Sequence, residues 1–252
     1  MQRCAGLLTG SERRAMFEVA YVAALKREVS SLVRDWQAKT LTYSGRNFDF
    51  FENGSTVLVC GGVGPEAARS GSEALIALYQ PKELVSVGFA GALSEQMHVG
   101  EISEPAAVID ARDGSRTPTG GGIGVLVSFA SVADAEQKRK LAQAYGAQIV
   151  DMEAASVARS AQIHKLRFRA VKSVSDELEF SMPPLANFVD ASGNFHTAQF
   201  ATFALMRPAL WPSIVRLARN SQRAAHALCE HLRAEMVRAA SRAETTAHER
   251  KQ

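Results

Sequence analysis

Two acids close two strand-like runs in the stretch from Val150 to Asp176, VDMEAASVARSAQIHKLRFRAVKSVSD. The first run ends on Asp151 and turns directly into a helical pattern that carries Glu153. After that helix, the apolar run FRAVKSVSD ends on Ser175 and Asp176. Carboxylates at the carboxyl ends of strands, with a helix between them, stand where open α/β sheets build ligand sites. A carboxyl held protonated can give a proton to a leaving group, and an ionised one can steady a growing cation. The same residues also have ordinary uses, as a helix cap and as a turn Asp. Spacing alone leaves both readings open.

The elements that must position these acids follow from periodicity. Strands are expected at Phe17–Ala24, Thr56–Cys60, Leu84–Val87, Ala106–Ile109, Ile123–Val127, Gln148–Val150 and Phe168–Val174. Helices are expected at Lys26–Trp36, Glu66–Tyr79, Asp134–Tyr145 and Glu153–Ile163. Such alternation predicts a sheet covered by helices on both faces. Asp113–Gly124, DGSRTPTGGGIG, has the composition of a surface loop. Pro208–Ala243 reads as one long helix with Ile214, Leu217, Ala218, Ala225, Leu228, Leu232 and Met236 along one side.

Composition narrows the classes. The chain has 252 residues, 46% of them hydrophobic, and no linker-like break, so one domain over residues 16–243 is expected. Residues 1–15 read as a loose extension and 244–252 as a frayed tail. A net charge of +3 gives no case for nucleic acid. Cys4, Cys60 and Cys229 have neither zinc nor disulfide spacing, so no metal is expected and a reducing cytoplasm fits. No apolar run approaches a membrane span. Residues 207–252 hold nine basic and four acidic side chains, which reads as a solvated helix face before it reads as a contact for lipid or RNA. Peripheral membrane contact is kept open by Trp211 but not favoured.

The turn GGVGPEAA places Gly62, Gly64 and Ala67 in the pattern G-x-G-x-x-A. A dinucleotide site wants an acid at the end of the next strand, and LVSVG runs instead into Gly88 and Phe89. No Walker lysine follows either. The glycines read as a tight strand-to-helix turn with Pro65 in the first helical turn, and no cofactor is expected.

Four segments in order resemble the purine nucleoside phosphorylase/nucleosidase superfamily, most closely its methylthioadenosine/S-adenosylhomocysteine nucleosidase branch. They are VAYVAALKREVSSL (19–32), VLVCGGVGPEAA (57–68), LVSVGFAGALSEQMHVGEI (84–102) and VDMEAASVA…VKSVSD (150–176). The resemblance implies a three-layer αβα fold with a central mixed β-sheet, a purine nucleoside substrate and a homodimer. It places Glu28 at the attacking water, Met152 and Glu153 at the ribose, and Asp176 at the purine as general acid, with Ser175 orienting it. Phe89, Ala90 and Gly91 form the AG turn beside the substrate. Phe89 departs from the small hydroxyl residue that many relatives carry there. The segment SFASVAD replaces the usual aromatic-stacking motif, leaving Phe129 and Val132 as nearby candidates. No arginine precedes GFAG, so hydrolysis is expected over phosphorolysis. A catalytically silent nucleoside-binding member is the alternative from another class. The long segment after Asp176, with GVGPEAA and LARNSQRAA, also resembles the hopanoid-associated phosphorylase branch. That likeness implies an adenosylhopane-type substrate, for which Phe180, Met182, Leu185, Phe188 and Trp211 would suit a lipid tail. Core packing or a dimer contact explains the same residues.

Overall fold

The computed structural model describes residues 17–180, 185–188, 190, 193 and 195–249. The expected extension at 1–15, the side chains of Met182 and Leu185, and the last three residues of the tail lie outside them. The chain opens with β1 (Val19–Ala23) and a single helical turn, α1 (Lys26–Val29). A hairpin of β2 (Gln37–Tyr43) and β3 (Arg46–Asn53) leads to β4 (Thr56–Cys60), α2 (Pro65–Tyr79) and β5 (Glu83–Ala92). Four short strands follow: β6 (Ile102–Ser103), β7 (Ala107–Asp110), β8 (Arg116–Pro118) and β9 (Val125–Ser128). Then come α3 (Ala135–Tyr145), β10 (Ile149–Asp151), α4 (Ala154–Ile163) and β11 (Arg167–Asp176). The chain closes with α5 (Thr197–Leu205) and α6 (Trp211–Glu249), which runs past the expected end at Ala243.

The strands form one mixed sheet in the order β2–β3–β4–β1–β5–β10–β9–β7–β8, with β11 along β5 and β6 on β11. Strand β5 is its spine. Along one edge β11 runs parallel to it from Arg167↔Glu83 to Asp176↔Gly91. The first half of β5 also pairs in parallel with β1, and its end pairs antiparallel with β10 at Ile149↔Ala92 and Val150↔Gly91. β5 therefore changes neighbour partway along. The carboxyl ends of β1, β5, β10 and β11 come together at that changeover.

Period-two alternation sends successive residues to opposite faces. Ala20 and Val22 join Val57, Val59 and Leu84 under α2 and α4, in a cluster with Leu75, Ala154 and Val157. Tyr21 and Ala23 join Leu58, Val85 and Val171 on the other face, where Leu228, Cys229 and Leu232 of α6 are fully buried. The burial of α6 begins at Ala224, one helical step before Leu228, and residues 211–223 include no buried side chain. The fold is the expected three-layer α/β arrangement.

Three local readings differ from the structure. Helix Lys26–Trp36 is only one turn long, because Val29, Leu32 and Val33 reach the α6 core through turns instead of a continued helix. The β2–β3 hairpin was not anticipated, although Ser44 (φ 48°) and Gly45 (φ 79°) make a left-handed turn suited to a two-residue hairpin. Its core side is Phe48 and Phe50, each worth about 1.5–3 kcal/mol when fully buried. The 113–124 loop also contains β8, paired with β7.

Candidate active site

Where the strand ends converge, one cavity is lined by Glu28, Phe89, Ala90, Gly91, Val132, Met152, Glu153, Ser175 and Asp176. The expected site positions thus meet in one place, with the exception of Phe129. That ring lines a separate small recess with Pro65 and Met152 and packs against the core around Leu141 and Val150. Its backbone N–H donates to the Asp151 carbonyl at 2.8 Å, which fixes the turn and aims the ring away from the cavity.

One end of the cavity is lined by Glu28, Glu153 and Asp151, with Lys172 paired to Asp151. Glu28 follows the end of β1, and its carboxylate lies against Gly88, where an added Cβ would meet Oε2 at 2.7 Å. Gly88 also holds φ +141°, so this position has two reasons to be glycine. Glu153 is the residue before α4 and not its first turn, and two backbone amides bind its carboxylate. Gly64 N–H donates to Oε1 at 2.8 Å and Met152 N–H to Oε2 at 3.2 Å. The glycine turn of β4–α2 thus serves the carboxylate of another motif. Burial pushes Glu28 up to about 7, against the pull of Lys172 and Arg27. Burial, then the neighbouring Asp151, pushes Glu153 to about 7 as well.

Asp151 is the fixed counterpart. It caps α4 through Ala154 N–H at 3.0 Å, accepts from Ser128 Oγ at 2.6 Å, and pairs with Lys172 Nζ at 2.8 Å. Both side chains of that ion pair are almost wholly buried. Burial alone would lower the Lys172 ammonium, but Asp151, Glu153 and Glu28 together raise it. The ordinary use of an acid before a helix is therefore Asp151's position, with a buried cation added.

At the other end, Asp176 accepts from Ser175 Oγ at 2.7 Å on one oxygen and from Lys138 Nζ on the other. Lys138 also donates to the Glu177 carbonyl at 2.8 Å. Gly91 leaves room for this pair: a Cβ there would meet Asp176 Oδ2 at 2.9 Å and Lys138 Cε at 3.0 Å.

Sequence reasoning missed Lys138, Lys172, Arg27 and Phe195. Lys138 lies with Leu141, Ala142 and Tyr145 at helical i, i+3, i+4, i+7 spacing, so a cation on an apolar stripe was a usable signal. Lys172 interrupts the apolar strand β11, which is a similar signal. Arg27 lines the cavity and lies over the ring of Phe195, 5.3 Å from its centroid. Phe195 had no such mark. The aromatic residues singled out for a lipid tail do not line this cavity. Phe180 and Phe188 are buried, Phe188 against Phe200 and Phe203, and Trp211 lines a different groove with Arg216, Arg219 and Arg223.

Glu104, His231 and Glu235 lie close enough together to hold an ion, but away from the cavity. Arg169 already donates to Glu235 at 2.8 Å and opposes a cation there. Among the described residues, no helix is long and apolar enough to cross a membrane.

The chain belongs to the phosphorylase superfamily, a family of enzymes whose model matches residues 5–135 and 123–207. Its fold is similar to 5′-methylthioadenosine/S-adenosylhomocysteine nucleosidase from Helicobacter pylori, with TM-score 0.67 and 14% identity over 89% of this chain and 99% of that one. The 5′-methylthioadenosine nucleosidase of Arabidopsis thaliana gives TM-score 0.65 and 18% identity over 86% and 93%. Futalosine hydrolase of Helicobacter pylori gives TM-score 0.60 and 17% identity over 84% and 96%. Comparison with curated proteins found no match. At such identities the structural likeness is one of fold.

Proposed function

We propose that this enzyme is a purine nucleosidase that hydrolyses the N-glycosidic bond of an adenosine altered at its 5′ carbon. The observation that carries the proposal is the meeting of Glu28, Glu153 and Asp176 in one cavity, each from a different strand end. In the proposed reaction the C1′–N9 bond breaks and its electron pair leaves with the base. Positive charge grows on the ribose, beside Glu153. A water oxygen bonds to C1′ and gives its proton to Glu28, while the base takes a proton from the Asp176 end.

Three features support the finer parts of this reading. Glu28 is an acid near the attacking position, which suits water and repels phosphate. Asp176 keeps lone pairs for a 6-amino N–H after accepting from Ser175 and Lys138, which favours adenine over a 6-oxopurine. Leu25, Val63 and Phe195 add an apolar wall suited to a 5′ thioether. One of the structurally similar Helicobacter pylori enzymes holds 5′-methylthioadenosine in its active site.

The test is adenine release from methylthioadenosine with and without phosphate. Release in phosphate-free buffer is expected, with Asp176→Asn folded but about 10²–10⁴-fold slower. Strict phosphate dependence would assign phosphorolysis, and binding without turnover would make the chain a silent nucleoside binder.

A further inference from the structure

The corner where α5 gives way to α6 has a surface that the reaction above does not use. In sequence it reads as a solvated helix face, but its side chains are not those of one. Leu205 is 71% exposed and Met206 76%, and Trp211 and Val215 are also exposed. Helix α5 has no buried residue, and α6 has none before Ala224. We propose that this corner docks on an anionic phospholipid surface, its apolar tip entering the headgroup layer and a collar of arginines meeting the phosphates.

The charge of the region fits that occupant. From Ala191 to Cys229 the chain has four arginines, Arg207, Arg216, Arg219 and Arg223, and neither Asp nor Glu. Two of the four lie over rings instead of beside acids, Arg207 at 3.9 Å from the Phe203 centroid and Arg216 at 5.2 Å from that of Phe180. Further along the same helix, Arg233 pairs with Glu230 three residues back, which is how a solvated face uses its charges.

The geometry puts the apolar and basic groups on one side. Ile214, Leu217, Ala224 and Leu228 share the side of α6 that turns to the core, at helical spacing. Trp211, Val215, Arg219 and Arg223 take the opposite side and line a groove with Arg216. The Trp211 indole N–H donates to the Ala204 carbonyl at 2.8 Å, which fixes the ring at the corner with its polar edge satisfied. A helix face with basic side chains next to Trp and aliphatic groups is what an interfacial helix presents to a bilayer. A second copy of the chain fits this face less well, because a two-fold contact would set its arginines against their own counterparts. Nucleic acid would meet the arginines but leave Leu205 and Met206 in water.

The test is flotation of the full chain with vesicles of phosphatidylcholine alone and of equal parts phosphatidylcholine and phosphatidylglycerol. The protein is expected to float with the anionic vesicles and not the neutral ones, and to bind less as salt rises. Replacing Arg216→Glu, Arg219→Glu and Arg223→Glu together is expected to weaken binding about 100-fold or more, at roughly fivefold for each arginine lost. Leu205→Ser with Met206→Ser is expected to weaken it about 10-fold. All five are exposed or groove-lining positions, and an unchanged Tm confirms that both variants fold. A wild-type protein that does not float with anionic vesicles overturns the proposal. Undiminished binding by the glutamate variant overturns it, and so does undiminished binding by the serine variant, which would leave charge attraction alone. A dimer in sedimentation without vesicle binding would give the face to a second copy, and retention of single-stranded RNA without vesicle binding would give it to nucleic acid. Either result overturns the lipid assignment. None of these outcomes depends on adenine release, so this inference and the nucleosidase reading stand or fall separately.

Discussion

The two ends of the cavity handle charge in opposite ways. At the Glu28–Glu153 end, carboxylates are buried with incomplete compensation, and both are pushed up to about 7. At the Asp176 end, the carboxylate sits in a closed set of partners, Ser175 and Lys138. The difference follows from where each acid sits on the fold. Glu28 and Glu153 stand just after strand ends and share the charge of Lys172 with Asp151, whereas Asp176 ends a strand that faces a lysine of its own on α3. An acid poised near neutrality can take a proton from water and then lose it.

The sharpest way to break that contrast is to remove the cation shared by the poised end. Lys172→Met leaves Asp151 buried without its partner and is expected to cost about 3–5 kcal/mol, read by urea unfolding. A wild-type midpoint would show that the pair is not what holds Asp151.

Next in size is Glu153→Gln, which retains shape and loses the charge. It should lower kcat about 10²–10³-fold while thermal unfolding stays close to wild type. A rise in KM alone would move Glu153 from stabilising the sugar cation to simple binding.

The poised acids also make a stability prediction with a definite sign. Their folded values are raised from 4.5 to about 7, so within that window the folded chain holds protons that the unfolded chain has lost. Stability therefore falls as pH rises from about 4.5 to 7 and stays lower above it, by up to about 3 kcal/mol for each group. Glu28→Gln should flatten part of that fall when Tm is compared at pH 5 and pH 8. In the proposed reaction both acids work ionised, so kcat/KM should rise with pH through about 7.

The smallest expected effect is at Gly91. A methyl group there meets Asp176 and Lys138 near 3 Å, so Gly91→Ala should cost about 1–3 kcal/mol and disturb the locked end alone. The pH dependence of Tm should survive unchanged in that variant.

These contrasts also explain what could be read in the sequence. The layered fold was legible because apolar strand-like runs such as those in Val19–Ala23 and Phe168–Val174 alternate with amphipathic helices. Glu153 and Asp176 were open to a site reading from their place at strand ends, and Glu28 was legible only through the order of the family segments. The β2–β3 hairpin was obscured because most of β2 faces solvent, and its cross-strand pairs, such as Lys39–Glu52 and Thr40–Asp49, join polar side chains that leave no apolar alternation to read. Lys138 was masked by the neighbouring charges of EQKRK, although its spacing to Leu141, Ala142 and Tyr145 marks it as the one on the apolar stripe of α3. Phe195 enters the cavity through a segment whose path no local pattern dictates.

The most direct measurement is the structure of Glu28→Gln soaked with methylthioadenosine. The account predicts the ribose over Met152 beside Glu153, C1′ facing residue 28, and the purine at Asp176. A nucleoside bound outside this cavity, or turned so that its base meets residue 28 and its sugar meets Asp176, would contradict it.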